Sequence, residues 1–369
     1  MNLPKGWKLL SFSEAFKDRT GGQQKIKKND YLASGNLPII DQGQQFVAGF
    51  TNNLNFQCNI ELPCILFGDH TKKFKFVEKP FALGADGVKV LETNKNIDTK
   101  FAFHYLQTLY LPDVGYSRHF RFLKRTVIPV PPIASQRRIA NILDKADEIV
   151  RKRKEAIALT EQLQKSIFLD MFGDPVINPK GWEVEELNNV ISIISGQVDP
   201  KVEPFIDMPH IGGENLQSNT NNIQNIKTPR ELKLKSGKYL FQSGNVLYSK
   251  IRPYLNQVVI TDFSGVCSAD IYPLRVIETK IKNDFLIYLL RSKFFLDYAQ
   301  KHSTRTNIPK INRPTLLSFR FPCPPINIQK DFSDKCNKIT QIQKNFNQYL
   351  TESENLFNSL LQKAFKGEL

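Results

Sequence analysis

Asp69-His70 sets a carboxylate beside an imidazole, the pairing in which an acid orients a general base. The matching place in the second half of the chain holds Lys250-Ile251, so a surface turn is the simpler reading of Asp69-His70. Asp270 with Glu278-Thr279-Lys280 offers the residue types of a carboxylate-lysine nuclease cluster, but at loose spacing and with no counterpart in the first half. His104, His119, His210 and His302 are scattered. Cys58, Cys64, Cys267, Cys323 and Cys336 form no C-x-x-C pair and have no histidine at zinc-ligand spacing. There is no G-x-x-x-x-G-K-[ST] loop, and Gly212-Gly213 is only a turn signal. No glycine-rich cofactor loop and no Asn/Asp-Pro-Pro-aromatic segment of the amino-methyltransferase kind occurs. The expectation is a chain with no active site, metal or cofactor of its own.

A formal charge of +15 favours a polyanionic partner. Residues 1–131 carry +7 and 174–326 carry +5, whereas 132–173 and 327–369 carry only +2 and +1. The basic excess therefore lies in two segments separated by nearly balanced ones. With 369 residues the chain has room for two or three domains. It has no run of 18 apolar residues and no signal-peptide order at its start, so a cytoplasmic protein without membrane contact is expected.

The elements that would position these side chains occur twice. Pro4-Lys5-Gly6-Trp7 returns as Pro179-Lys180-Gly181-Trp182, and the two tryptophans are the only ones present. A strand-like CILFGDH (Cys64 to His70) corresponds to VLYSKIR (Val246 to Arg252), and Ala85-Asp86 corresponds to Ala269-Asp270. The aromatic helical segment Phe101 to Gln107 corresponds to Phe285 to Arg291. Pro131-Pro132-Ile133 corresponds to Pro324-Pro325-Ile326, each pair opening a long segment free of interior proline and glycine.

In the first long segment Ile139, Ile142, Ala146, Ile149, Ala156, Leu163 and Ile167 form a 3-4 stripe, with Arg153 and Thr160 as polar interruptions and Leu143, Val150 and Ile157 widening it. In the second, Phe332, Ile339, Ile342, Phe346, Tyr349, Leu356 and Leu360 do the same, interrupted by Lys335 and Ser353. Rods of about 57 Å with such stripes need a partner, and each other is the nearest one. The reading is α+β: two pseudo-two-fold-related domains, 1–131 and 174–325, with long helices at 132–173 and 326–369 forming an antiparallel coiled coil.

This pattern resembles the specificity subunits of type I restriction-modification systems. The resemblance is carried by PKGW, ILFGDHTKKFKFV (Ile65 to Val77), LGADGVKVL (Leu83 to Leu91), and the Pro-Pro-x-x-x-x-Gln helix starts ending at Gln136 and Gln329. It is carried as well by the Met-Phe-Gly-Asp-Pro exit at Met171 to Pro175. It implies two target-recognition domains, each reading half of a split double-stranded DNA sequence, spaced by the paired helices. Catalysis would belong to partners. These are two methyltransferase subunits using S-adenosylmethionine on adenine, and restriction subunits that translocate and cut with ATP and Mg.

On that reading, Lys and Arg would hold phosphates while Arg, Lys, Asn and Gln reach base edges. Candidates in the first half are Gln23, Lys25, Lys27 and Lys28, then Lys72 and Lys73, then Arg118, His119 and Arg121 in GYSRHFRF. In the second half they are Lys250, Arg252, Tyr254 and Asn256, then Arg305, Thr306, Asn307 and Lys310 in STRTNIPK. GYSRHFRF and STRTNIPK occupy matching places in the repeat, in the segment that faces DNA in the family. The rival readings are a standalone DNA-binding or DNA-cutting protein that dimerises through its coiled coil, and a basic scaffold without nucleic acid.

Overall fold

The computed structural model describes residues 4–84, 87–112, 118–303 and 308–369, with Glu161 described by its backbone alone. Ala85, Asp86, Arg305, Thr306 and Asn307 lie outside the described residues, as do residues 113–117 of the stretch leading into Arg118. The chain divides into two compact units, one of residues 1–155 with 347–369 and one of residues 156–346. Each unit contains one α+β head and half of each long helix.

The first head is built on an antiparallel sheet in the order Phe16–Asp18, Val88–Thr93, Cys64–Gly68, Phe74–Val77. Its central strand is buried along its whole length, as a continuous apolar run requires. The helix Thr99–Gln107 packs beside it, with Asp98 capping its start by accepting the Phe101 amide at 3.0 Å. A two-stranded ribbon of Lys8–Ser11 and Val127–Val130 brings the beginning and end of the head together.

The second head repeats this plan. Its sheet runs Ile191–Ile193, Ile271–Val276, Val246–Ser249, Val258–Ile260. The equivalent helix is Asn283–Arg291, and the equivalent ribbon pairs Val184–Glu186 with Arg320–Pro322. Each head adds a second small sheet containing one parallel strand pair.

The long helices run Ile133–Phe172 and Ile326–Lys366, starting directly after the Pro-Pro pairs. Within the first unit Ile139, Ala140 and Leu143 pack with Phe357, Leu360 and Ala364. Within the second, Ile167, Phe168, Met171 and Phe172 pack with Ile328, Phe332 and Cys336. Early residues of one helix meet late residues of the other in both units, so the pairing is antiparallel.

The observed seam differs from the one read in the sequence. The first helix has a buried or half-buried residue at every step of an unbroken 4-3 alternation through Ile139, Leu143, Ala146, Val150, Arg153, Ile157, Thr160, Gln164, Ile167 and Met171. The second helix repeats it at Phe332, Cys336, Ile339, Gln343, Phe346, Leu350, Ser353, Phe357, Leu360 and Ala364. Ile149, Leu163, Ile342, Tyr349 and Leu356 belong to a flanking row and are exposed. The error has a physical source. That flanking row is also apolar at seven-residue spacing, so hydrophobicity alone does not separate it from the seam. Arg153 occupies a seam position with its guanidinium 5.1 Å from the centre of the Tyr349 ring, and Lys154 meets Glu354 at 2.8 Å on the other edge.

The repeated PKGW marks the joint between a helix end and a head. Gly173 and Gly367 close the two long helices with φ of +79° and +78°. A β-carbon on Gly173 would collide with the Pro179 ring, and one on Gly367 with the Pro4 ring. Trp182 donates its indole N–H to the Phe172 carbonyl at 3.0 Å, while Trp7 packs among Phe357, Leu360 and Phe365.

Candidate nucleic-acid interface

The catalytic-looking residues are used structurally. Asp69 is buried rather than on a surface turn, and its Oδ1 accepts the Phe120 amide at 2.7 Å at the start of a short helix. Lys280 donates to the Asn189 carbonyl at 3.1 Å and Asp270 lies 3.5 Å from Lys250, so these residues and Glu278 build no common cluster. Among the described residues no group of His, Cys, Asp and Glu could hold a metal ion. Burial pushes the Cys64 and Cys267 thiols up to about 12, which keeps them protonated and unreactive. No helix among the described residues is long and apolar enough to cross a membrane.

Three segments converge in each head, held by the same backbone hydrogen bonds. In the first, the Asp69 amide donates to the Gly87 carbonyl at 2.7 Å, and the Asp69 carbonyl accepts the His119 amide at 2.9 Å. In the second, the Lys250 amide donates to the Asp270 carbonyl at 2.9 Å, and its carbonyl accepts the Ile311 amide at 3.0 Å. The turn after the central strand, the start of the neighbouring strand and the segment preceding the Pro-Pro helix thus meet at one edge of each head.

This edge is cationic. Lys72 and Lys73 lie in the first turn, with Lys73 exposed, and exposed Arg118 and Arg121 flank it. The second turn carries exposed Arg252 and Tyr254, with Lys310 bridged to Ile251 and the Arg252 amide donating to Pro309 at 2.7 Å. Lys72 and Arg252 both adopt the left-handed backbone region, with φ of +58° and +47°. Such a conformation costs a non-glycine residue about 1–3 kcal/mol and concentrates at functional loops.

Four predicted residues do not reach the surface as free readers. His119 is 1% exposed and its Nδ1 lies 2.9 Å from the Asp69 carbonyl, so it locks the turn. Asn256 is 3% exposed and donates to Asn219 Oδ1 at 2.6 Å and the Arg291 carbonyl at 3.1 Å. Gln23 exchanges two hydrogen bonds with the Asn59 backbone, at 2.8 and 2.9 Å. Lys250 is drawn inward to the Ala269 carbonyl and over the Tyr272 ring. In each case a polar side chain that looks like a base reader in sequence satisfies a backbone group instead. Lys25, Lys27 and Lys28 are exposed, on a loop tied to Leu83 through the Ile26 amide at 2.9 Å.

Sequence reasoning missed other cations at this edge. Lys89 and Lys124 stand 5.0 and 5.5 Å from the Phe120 ring centre, and Arg313 stands 5.9 Å from that of Tyr272. Lys89 alternates with Val88 and Val90 in its strand, an outward-facing signal available in the sequence.

A family model described as type I restriction modification DNA specificity domain matches residues 4–159 and again residues 179–355. The chain is 34% identical over 198 residues to the type I restriction enzyme EcoDI specificity subunit of Escherichia coli, covering 52% of this chain and 43% of that one. It is 24% identical over 302 residues to the type I restriction enzyme MjaVIII specificity subunit of Methanocaldococcus jannaschii, covering 72% and 69%. The chain therefore spans less than half the length of the first of these relatives. In fold it is similar to the S subunit of a type I restriction-modification system from M. genitalium, with a TM-score of 0.60, 14% identity and coverage of 99% and 96%.

Proposed function

The chain belongs to the type I restriction-modification DNA specificity family, and from that premise we propose that it reads a bipartite double-stranded DNA target on behalf of partner subunits. The observation that carries the reading is the duplicated edge. Two heads of different sequence hold the same three segments with the same hydrogen bonds, and each places cations around an aromatic ring there. Differing side chains on a common backbone frame suit two half-sites of different sequence. Lys72, Lys73, Lys89, Arg118, Arg121 and Lys124 serve the first half-site; Arg252, Tyr254, Lys310 and Arg313 serve the second, for which Arg305, Thr306 and Asn307 are proposed as well. Lys25, Lys27 and Lys28 add phosphate contacts.

The chain contributes recognition and no chemistry. Adenine methylation with S-adenosylmethionine falls to two methyltransferase subunits, and cutting with ATP and Mg falls to restriction subunits, all acting in the cytoplasm. Docking of the methyltransferases is supported by the exposed flanking row on the long helices: Ile149 and Leu356 in the first unit, Leu163 and Ile342 in the second. The repeat relates one pair to the other, as attachment of two identical partners requires.

Single-molecule sequencing of host DNA with and without this chain tests the reading. The expected result is a methylated adenine in each half of one split motif, lost when the chain is removed. Methylation or cleavage by the purified chain alone would overturn it.

A further inference from the structure

Gln136 and Gln329 are 1% and 0% exposed, and interior polar groups of this kind are found paired. Gln136 Nε2 donates to the Pro131 carbonyl at 2.8 Å and to the Asn96 carbonyl at 3.1 Å, and its Oε1 accepts the Asp98 amide at 2.8 Å. Gln329 Nε2 donates to the Pro324 carbonyl at 2.7 Å and to the Lys280 carbonyl at 3.2 Å, and its Oε1 accepts the Lys282 amide at 2.9 Å. The same three backbone groups are tied in both heads, although the head sequences around them differ.

The tied groups define a joint. Pro131 and Pro324 precede the long helices, while Asp98 and Lys282 are the N-cap residues of the head helices Thr99–Gln107 and Asn283–Arg291. Those head helices in turn rest on the long-helix pair through Phe101 against Phe365 and Phe285 against Phe168. The bonding needs two donors on one terminal atom and an acceptor on the other, at glutamine's reach. Glutamate lacks the donors and asparagine is one methylene shorter. Removing the carboxamide takes the partner from the Pro131 carbonyl, in the buried part of the joint, and from the half-buried Asn96 carbonyl and Asp98 amide.

We infer that Gln136 and Gln329 are positioning residues that fix the angle of each head on its long-helix pair, so that the two half-sites are read at a single spacer length. The inference rests on the reading under Proposed function. Neither glutamine touches DNA; each acts through the head it holds.

The test uses the chain co-expressed with its methyltransferase partners, with modified adenines mapped across the host genome, which presents every spacer length at once. Wild type is expected to modify one spacer length. Gln136→Met keeps volume and removes all three hydrogen bonds. It is expected to raise methylation at spacers one base pair longer or shorter by about fivefold relative to the original length, the worth of about one such bond. Half-site base preference is expected to stay unchanged. Gln136→Glu, which keeps an acceptor but loses both donors, gives the same comparison should the methionine variant fail to fold, and Gln329→Glu repeats it in the other head. Folded variants that merely lose activity at the original spacer, or that change base preference instead, overturn the clamp. A wild-type complex that modifies no split motif overturns the underlying reading and the clamp with it.

Discussion

Asp69 and Lys250 occupy one position in two heads. Each donates its amide to the strand start opposite and each accepts an amide from the segment before a long helix, yet the side chains carry opposite charges. The Asp69 carboxylate turns in to cap the Phe120 helix, and the Lys250 ammonium turns in to the Ala269 carbonyl. The backbone frame is therefore constant while the side chains on it differ, which makes the outward neighbours the place to test selectivity. Arg252→Ala together with Arg313→Ala is expected to weaken binding of targets through the second half-site alone, by about 1–3 kcal/mol for each arginine that pairs with a base edge. Competition binding of the complex with targets altered in one half-site measures this. An equal loss of discrimination at both half-sites would contradict the assignment.

Phosphate contacts differ from base contacts in their response to salt. Lys72→Ala with Lys73→Ala is expected to weaken binding to all targets alike and to lower the slope of log affinity against log salt by about 0.9 for each phosphate the two lysines neutralise. A salt titration of the complex on specific and scrambled DNA reads both effects. An unchanged slope would place these lysines off the DNA.

His210 is 4% exposed, and neither ring nitrogen has a hydrogen-bond partner among the described residues. Burial, reinforced by the nearby Lys238 ammonium, pulls its pKa below the usual histidine range. The unfolded chain therefore takes up this proton at higher pH than the folded one. Stability is complete above the ordinary histidine pKa of about 6.5 and falls as pH drops from there through the lowered folded value. His210→Leu is expected to flatten that decline, as read by denaturant melts between neutral and mildly acidic pH. An unchanged decline would assign it to other groups.

How much of this was legible in the sequence follows from the range of the interactions involved. The helix starts at Ile133 and Ile326 were readable because Pro-Pro acts locally, and the repeat was readable because PKGW seats against a helix-closing glycine in both places. The candidate edge was legible as clusters, since the turn at Lys72 and the segment at Arg118 do meet, as do those at Lys250 and Lys310. Roles within the clusters were not. Whether His119 or Asn256 faces DNA or a backbone carbonyl depends on a residue 50 positions away in one case and 35 or more in the other. The positive charge of Arg313 gives no local sign of its role, and only its place over Tyr272 brings it to the edge.

The corrected seam separates two sets of apolar residues that look alike in sequence and predicts opposite consequences for them. Leu143 is fully buried between the long helices of the first unit, so Leu143→Ala is expected to cost about 2–5 kcal/mol of stability through reduced burial and the cavity left behind. Ile149 and Leu356 are exposed, so Ile149→Ser with Leu356→Ser is expected to change stability by less than about 1 kcal/mol. The second pair instead reports on docking. If the flanking row receives a methyltransferase, the double serine variant keeps its melting temperature and loses retention of that partner in size-exclusion chromatography. A double variant that unfolds would restore the seam read from the sequence, and one that retains both partners would remove the row from the docking surface. The two measurements are independent, because the seam acts within the chain at any concentration and docking on the flanking row would show only with a partner present.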